Sequence, residues 1–467
     1  MATSSVGNQT PRTKPDLLKD PLPILLWRMT YPVIGGIITL MLFNLVDAYF
    51  ISMLGTEALA AVTFTFPVTF TLISLSIGLG IGTSAVVGRL LGEKSFLLVK
   101  RRATDAVLLA IVLSVLLTIV GLLTIEPLFQ LLGAGDVLMP YIHDYISVWY
   151  MGALFVIVPR TITSALRASG NTLVPGLVMI GSGIVNGILD PILIFGWGPI
   201  PAMGVQGAAF ATLISWAMLT IGIFSLSAVR KELLTFTRPQ WQAVKESWQA
   251  IGHIAVPAII SSILTPISSA ILTRIVAVFG NEAVASFGVG TRIESISLIV
   301  AFALSMTLPP VVSQNLGAGQ LQRVQLLVFG TFKFVLIWQL GIWALLLLFQ
   351  TPLTSAFATD SPQFTDNLLW FLWSVPLGLG FQSVIILANS TMNALHQPMV
   401  ALRLSILRLF VFYVPICALG AWLYGLYGVF IGAVIANLLM CGISWWTVKG
   451  ALQLLIAKNA SLKPLND

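Results

Sequence analysis

Long apolar runs separated by short polar stretches dominate the chain. Ala106–Leu123 is almost unbroken apolar sequence and lacks the polar–apolar alternation of a β-barrel strand. A run that crosses a bilayer as a helix needs about 20 predominantly apolar residues. Twelve runs qualify, near 24–53, 58–88, 103–125, 137–165, 173–197, 203–228, 250–279, 283–313, 326–350, 363–393, 400–423 and 427–456. Each predicts a transmembrane helix, so the fold class is an all-α polytopic membrane protein. Pro32, Pro67, Pro191, Pro257 and Pro266 fall inside these runs, where helix bundles tolerate proline and often bend.

The connections test the count independently. Those after spans 1, 3, 5, 7, 9 and 11 hold no Lys or Arg, and carry Glu57, Glu126, Asp136, Glu282 and Asp360 instead. The others carry Arg89, Lys94, Lys100, Arg101, Arg102, Arg167, Arg230, Lys231, Arg238, Lys245 and Arg323. Arg12, Lys14, Lys19, Lys458 and Lys463 lie in the tails. Basic loops stay in the cytoplasm, so both termini are expected there, in a multi-pass protein of the bacterial inner membrane. The expected organisation is an N-terminal tail (1–20), an N-lobe (21–230), a cytoplasmic linker (231–249), a C-lobe (250–457) and a C-terminal tail (458–467). No cleavable signal peptide is visible in the polar Met1–Asp20.

Composition narrows the class further. Charged residues are 9% of 467, hydrophobic residues 57%, and mean hydropathy is +0.96. A soluble enzyme of this length needs far more polar surface. The net charge of +7 belongs to the loops and does not point to nucleic acid. Cys417 and Cys441 lie in apolar stretches and imply no disulfide framework.

The second half repeats the first. A shift of 225 residues places Pro32 on Pro257, Gly55 on Gly280, Glu57 on Glu282, Ala58 on Ala283, Ala60 on Ala285 and Gly92 on Gly317. A slightly smaller shift aligns Gly204 and Gly207 with Gly425 and Gly428. Six spans per half is an even number, so the halves share one topology and form a parallel repeat. Transporters use this plan, with the substrate path between the lobes.

Ionisable residues deep in a span are costly and mark functional sites. Asp47 and Asp190 lie about 10–12 Å inside the outer ends of spans 1 and 5, at about 1.5 Å per residue. Asn186 is one turn from Asp190 on the same face. Thr212 on span 6 and Tyr145 on span 4 come to a similar depth. Two carboxylates in a poorly hydrated pocket cannot both stay charged unless a proton or a hard cation such as Na⁺ neutralises them. This set therefore predicts a coupling-ion site. The repeat places Leu272 opposite Asp47 and Val414 near the counterpart of Asp190, so the acidic chemistry belongs to the first lobe.

In the second lobe, Glu294 lies near mid-depth with Arg292 two residues earlier and Arg274 in the outer part of span 7. A structural ion-pair network involving Arg292 and Glu294 is expected there. Lys333 and Arg408 are expected to snorkel toward the cytoplasmic side. His143, His253 and His396 sit near span ends without metal-ligand spacing. No phosphate-binding loop or zinc motif is present. No enzyme activity, cofactor or metal is expected beyond H⁺ or Na⁺ as coupling ion.

Several segments together resemble the MATE family of multidrug and toxin extrusion transporters. They are Pro32 with Asp47, NGILDP at 186–191, GAAFAT at 207–212, RIE at 292–294 and QNLGAG at 314–319. The resemblance covers essentially the whole chain and implies two six-helix lobes around a V-shaped cavity. Spans 7 and 10 lack a deep acid, since Asp366 lies at a span end. That departs from the NorM-type branch and resembles the DinF-type branch. There, positions like Asp47, Asn186, Asp190 and Thr212 are similar to a cation site whose protonation or Na⁺ binding is linked to bending of span 1. Phe43 stands where a tyrosine is expected. Pro32, followed by Gly35 and Gly36, is the expected hinge.

The resemblance implies a monomeric secondary exporter of small organic, often cationic compounds, driven by protons, embedded in lipid and binding no nucleic acid. Alternatives are a Na⁺-coupled exporter of the same fold and a lipid-linked oligosaccharide flippase.

Overall fold

The structure, a computed structural model, describes residues 15–226, 233–235, 240–357 and 361–461. Arg12, Lys14, Arg230, Lys231, Arg238, Asp360 and Lys463, read above as loop or tail charges, lie outside the described residues. So do parts of the tails and linker. Among the described residues there is no β-strand, and the helices follow the apolar runs.

The N-lobe holds α1 (Leu22–Ser52), α2 (Thr56–Gly92), α3 (Phe96–Leu131), α4 (Met139–Met151), α5 (Ala153–Ala168), α6 (Leu173–Phe195) and α7 (Gly204–Ser225). The C-lobe holds α8 (Trp241–Val276), α9 (Asn281–Ser297), α10 (Ile299–Gly317), α11 (Leu321–Leu348), the short α12 (Gln350–Ala356), α13 (Pro362–Ala394), α14 (Pro398–Ile406) and α15 (Val414–Ser461). A π-helical turn, Leu407–Tyr413, joins the last two.

These elements resolve into twelve crossings. α4 and α5 form one span bent by 42°, with Gly152 at the bend, where a Cβ would stand 2.4 Å from the Leu213 side chain. α9 and α10 together form another. α15 breaks at Gly425 (φ 64°, ψ −146°), a conformation open to glycine. Residues 241–249, expected in the linker, are already helical because α8 starts at Trp241.

The repeat is written into the backbone. Left-handed residues recur in register: Gly55 (φ 111°) with Gly280 (φ 103°), Lys94 (φ 58°) with Gly319 (φ 72°), Gly170 (φ 87°) with His396 (φ 59°), and Gly204 (φ 57°) with Gly425. The lobes meet about the pseudo-axis through equivalent residues. A Cβ on Gly92 would lie 2.0 Å from the Gln314 carbonyl oxygen, and one on Gly317 would lie 2.1 Å from the Arg89 carbonyl oxygen. Only glycine lets α2 and α10 cross this closely.

The lobes also exchange their first helices. Leu25 and Met29 of α1 are buried in the C-lobe core with Leu308, Val328 and Val384. In the first half of α8, Ile254, the repeat-mate of Met29, is buried with Ile251 and Ala255 in the N-lobe core beside Val87, Ala106 and Ile162, and Ala250, the repeat-mate of Leu25, packs against it. Asp105 fixes this second exchange. It is 1% exposed, pairs with Arg101 at 3.2 Å and accepts from Ser247 Oγ at 2.5 Å. Past Pro32, α1 returns to its own lobe, where Gly36 and Gly183 admit Met179 and Thr39.

The contacts between lobes lie in the half of the bundle carrying the basic loops. Thr30 and Thr307 hydroxyls meet at 3.0 Å, and Gln314 Nε2 donates to the Ala168 carbonyl at 2.6 Å. Asn315 Nδ2 donates to the Leu17 carbonyl at 3.0 Å, and Arg323 donates to the Asp20 carbonyl. The end of the N-terminal tail is thus built into the basic-side floor. At the acidic end, Gly55 has no atom of the other lobe within 4 Å.

Candidate functional site

The sequence-selected residues converge in the N-lobe. α1 supplies Asp47, α6 supplies Asn186 and Asp190, α7 supplies Thr212, and α4 supplies Tyr145. α6 packs between α1 and α7, which draws three helices onto one polar patch. Asp190 is fully buried, Asn186 is 2% exposed, Thr212 and Tyr145 are 6% exposed, and Asp47 is half-buried.

One polar bond ties the patch: Asn186 Nδ2 donates to Thr212 Oγ1 at 3.2 Å. Thr212 Oγ1 itself donates to the Ala208 carbonyl at 3.3 Å. Four buried oxygens then accept no hydrogen bond of standard geometry: Asp47 Oδ1, Asn186 Oδ1 and both carboxylate oxygens of Asp190. The two carboxylates lie close enough for their charges to interact, and Tyr145 feels both. Tyr145 lies beside Trp149 with ring centroids 6.2 Å apart and planes tilted by 42°, and packs with Ile194, Val205 and Ala209.

Buried acceptors without donors are costly. A group of four, three of them on carboxylates, is a place that attracts a proton or a hard cation. Among the described residues no Lys or Arg forms an ion pair with either aspartate. Among the described residues, the ion pairs are Arg89–Glu93, Arg101–Asp105 and Arg102–Glu246, all near the basic end.

Pro32 is buried inside α1, which runs unbroken through it. A Cβ on Gly176 of α6 would meet the Pro32 carbonyl oxygen at 2.6 Å. Two residues earlier Thr30 bonds to the C-lobe. Pro32 therefore stands where α1 passes from one lobe to the other, and its ring deprives the Arg28 carbonyl of a helical partner.

The second lobe departs from expectation. Arg292 and Glu294 form no pair, because residues two apart on a helix point to different sides. Glu294 Oε1 accepts from Gln382 Nε2 at 3.0 Å. Gln382 Oε1 lies 3.4 Å from Asn437 Nδ2, and Asn437 Oδ1 accepts from Arg408 Nη2 at 3.2 Å. The Arg408 guanidinium lies 5.5 Å from the Tyr413 ring centre. Arg408 thus turns into the lobe instead of snorkelling. The signal missed was the spacing of Gln382 and Asn437 along apolar helices, which sequence alone does not bring together. Arg160, on α5 below the bend, was also missed, although its charge inside an apolar run was readable.

Two pseudo-symmetric six-span lobes, closed against each other at one end and apart at the other, define a two-lobed membrane transporter and not an enzyme. The MatE family model matches residues 32–192 and 257–419, once in each lobe, and the chain belongs to that family. It is 40% identical to the FAD transporter of Shewanella oneidensis over 424 residues, covering 91% of this chain and 94% of that one. It is 25% identical to the multidrug export protein MepA of Staphylococcus haemolyticus over 285 residues, 61% of this chain and 62% of that one. Among solved structures, it resembles the Vibrio cholerae MATE transporter VcmN in the bent form. The TM-score is 0.87 and identity 36%, covering 93% of this chain and 98% of that one.

Proposed function

We propose that this protein is a proton-coupled exporter of flavin dinucleotide, with Asp47, Asn186, Asp190, Thr212 and Tyr145 as its coupling site. The observation that carries the coupling role is the set of four buried, unpaired oxygens. A proton on either aspartate supplies the missing donor and removes one charge. The polar patch then packs tighter, pulling the outer part of α1 toward α6. The inner part of α1 belongs to the C-lobe core, so Pro32 is the hinge on which the two parts turn. Asp47 bears a proton in from the outside, and releases it once the floor opens to the cytoplasm.

The substrate reading rests on the near full-length match to the FAD transporter. It differs from the cationic substrates expected from the family resemblance. A multidrug role is the second reading, favoured by the shorter match to MepA. Loop charge supports an orientation with the basic end and both termini in the cytoplasm. In that orientation the cavity mouth faces outward.

Purified protein in liposomes, given a pH gradient alone or a Na⁺ gradient alone, tests coupling and substrate together. FAD movement under the pH gradient is expected. Movement under the Na⁺ gradient alone replaces the proton with Na⁺. Movement of cationic dyes without FAD replaces the substrate. Cysteines at Gly135 and Glu57 are expected to label from outside intact cells, and one at Lys245 is not; the reverse pattern inverts the orientation.

A further inference from the structure

Arg292 is an uncompensated cation in the middle of a span. It lies eleven residues into the α9–α10 crossing, about 16 Å from the acidic end at 1.5 Å per residue. That is well beyond snorkelling reach. Its side chain is exposed, and it has neither an ion pair nor a hydrogen bond among the described residues. Glu294, the nearest acid in sequence, is turned toward Gln382.

An exposed guanidinium at this depth faces either lipid or water, and the composition of its face decides. The stripe along α9 at helical spacing is Asn281, Ala285, Gly288, Arg292 and Ser295, all exposed or half-exposed. Ile296, 63% exposed, borders it on one side. Lipid-facing α11 instead exposes Leu326 at 70%, Ile337 at 71% and Leu348 at 74%. A small, polar stripe is unsuited to hydrocarbon and suited to a water-filled cavity. Its neighbour α8 carries Ser262, Thr265, Ser269 and Thr273 on one face, each at least partly exposed. Ser262 and Thr273 donate to their own helix, whereas Thr265 and Ser269 donate to no group among the described residues. The C-lobe wall therefore offers the Arg292 guanidinium with two undonated hydroxyls on the adjoining helix, while the nearby acid Glu294 is turned to Gln382.

We propose that Arg292, assisted by Thr265 and Ser269, binds the phosphate oxygens of the exported substrate. The planar fork of a guanidinium takes two oxygens of a phosphate at once, and a dinucleotide presents a dianionic pyrophosphate. The assignment rests on the flavin-dinucleotide reading above and adds the residue that distinguishes phosphorylated from unphosphorylated flavin.

The test measures pH-gradient-driven flux in liposomes for FAD, FMN, riboflavin and a cationic dye, with wild type, Arg292→Gln and Arg292→Lys. With Arg292→Gln, the KM for FAD and FMN is expected to rise roughly ten-fold or more, the scale of a lost charged hydrogen bond. Riboflavin and dye flux are expected to stay within two-fold of wild type by the same measure. Arg292→Lys is expected to fall between, keeping charge without the fork. Inorganic pyrophosphate is expected to inhibit the wild type and not Arg292→Gln. Thr265→Val and Ser269→Ala are expected to raise the FAD KM about three-fold each. A wild type that moves no phosphorylated flavin overturns the substrate reading and this inference together. A wild type that moves FAD, with an unchanged KM in Arg292→Gln, overturns the role of Arg292 alone. Equal loss of FAD and dye flux in Arg292→Gln and Arg292→Lys also overturns it, since the residue then serves the fold.

Discussion

The two lobes share a backbone and divide the chemistry. Their left-handed turns recur in register, their first helices are exchanged, and Pro32 and Pro257 occupy equivalent places beyond each exchange. Where the N-lobe has Asp47, the C-lobe has Leu272, 4% exposed in an apolar cluster with Val276, Phe287 and Cys417. Three buried oxygens of Asp47 and Asp190 accept no hydrogen bond of standard geometry, whereas the C-lobe acid Glu294 is joined through Gln382 and Asn437 to Arg408. A satisfied network rigidifies, and a starved one waits for an ion. The difference argues that one lobe bends while its twin serves as the rigid wall.

The sharpest way to break this comparison is to move the acid. Asp47→Asn leaves an amide that mimics the protonated state permanently, so gradient-driven flux is expected to fall to that of empty liposomes while the protein still folds. Leu272→Asp in the same background is expected to restore nothing. A lone acid in that apolar cluster costs roughly 3 kcal/mol and has no Asn or Thr partner, so the melting temperature in detergent is expected to drop. Transport recovered by the transplanted acid would mean that the lobes are interchangeable.

The floor tests the opposite claim, that the lobes are equal there. Gly92→Ala and Gly317→Ala each push a methyl into the facing carbonyl oxygen. Overpacking of this kind costs about 1–3 kcal/mol, charged to the closed floor and absent once the helices part. Both variants are expected to shift spin-label distances between the basic ends of α2 and α10 toward longer values, to the same extent. A shift in one variant and not the other would show that one helix yields and the floor is asymmetric.

The spans, the repeat and the N-lobe cluster were legible because each leaves a one-dimensional trace. Apolar length marks a crossing, Gly and Pro mark shared turns, and a deep acid stands out against a run of Leu and Ile. The exchange of first helices was not legible, because Leu25 and Met29 are the same apolar residues whichever lobe they enter. Nor was the partner of Glu294. Proximity in sequence suggested Arg292, but a helix turns that side chain away, and the true neighbours come from α13 and α15. The building of Leu17 and Asp20 into the floor was hidden by a polar, proline-containing context that reads as a tail.

The smallest expected effect lies at a turn the repeat leaves unequal. Gly170 joins α5 to α6, and the equivalent turn between α13 and α14, outside the spans, holds His396. Its Nε2 is buried without a partner. Burial, and then the Arg89 guanidinium, pushes the imidazole down from 6.5 to about 4. His253 adds to this, while the Ala85 carbonyl and Glu93 oppose it. Arg89 and Ala85 belong to α2 of the other lobe and Glu93 caps it, so an opening floor frees His396 to return toward its ordinary value. The open form then binds the proton more tightly. The advantage of the closed floor is complete above pH 6.5 and declines as pH falls toward 4. In the Asp47→Asn background, which removes the response of the proposed coupling carboxylate, lowering the pH from about 7.5 to about 5.5 is expected to lengthen the α2–α10 spin-label distance slightly. His396→Asn keeps a residue that tolerates the left-handed turn and takes no proton, so it is expected to flatten that response. A response that survives the substitution would assign the remaining pH sensitivity to another group and leave the unequal turn without a role in opening.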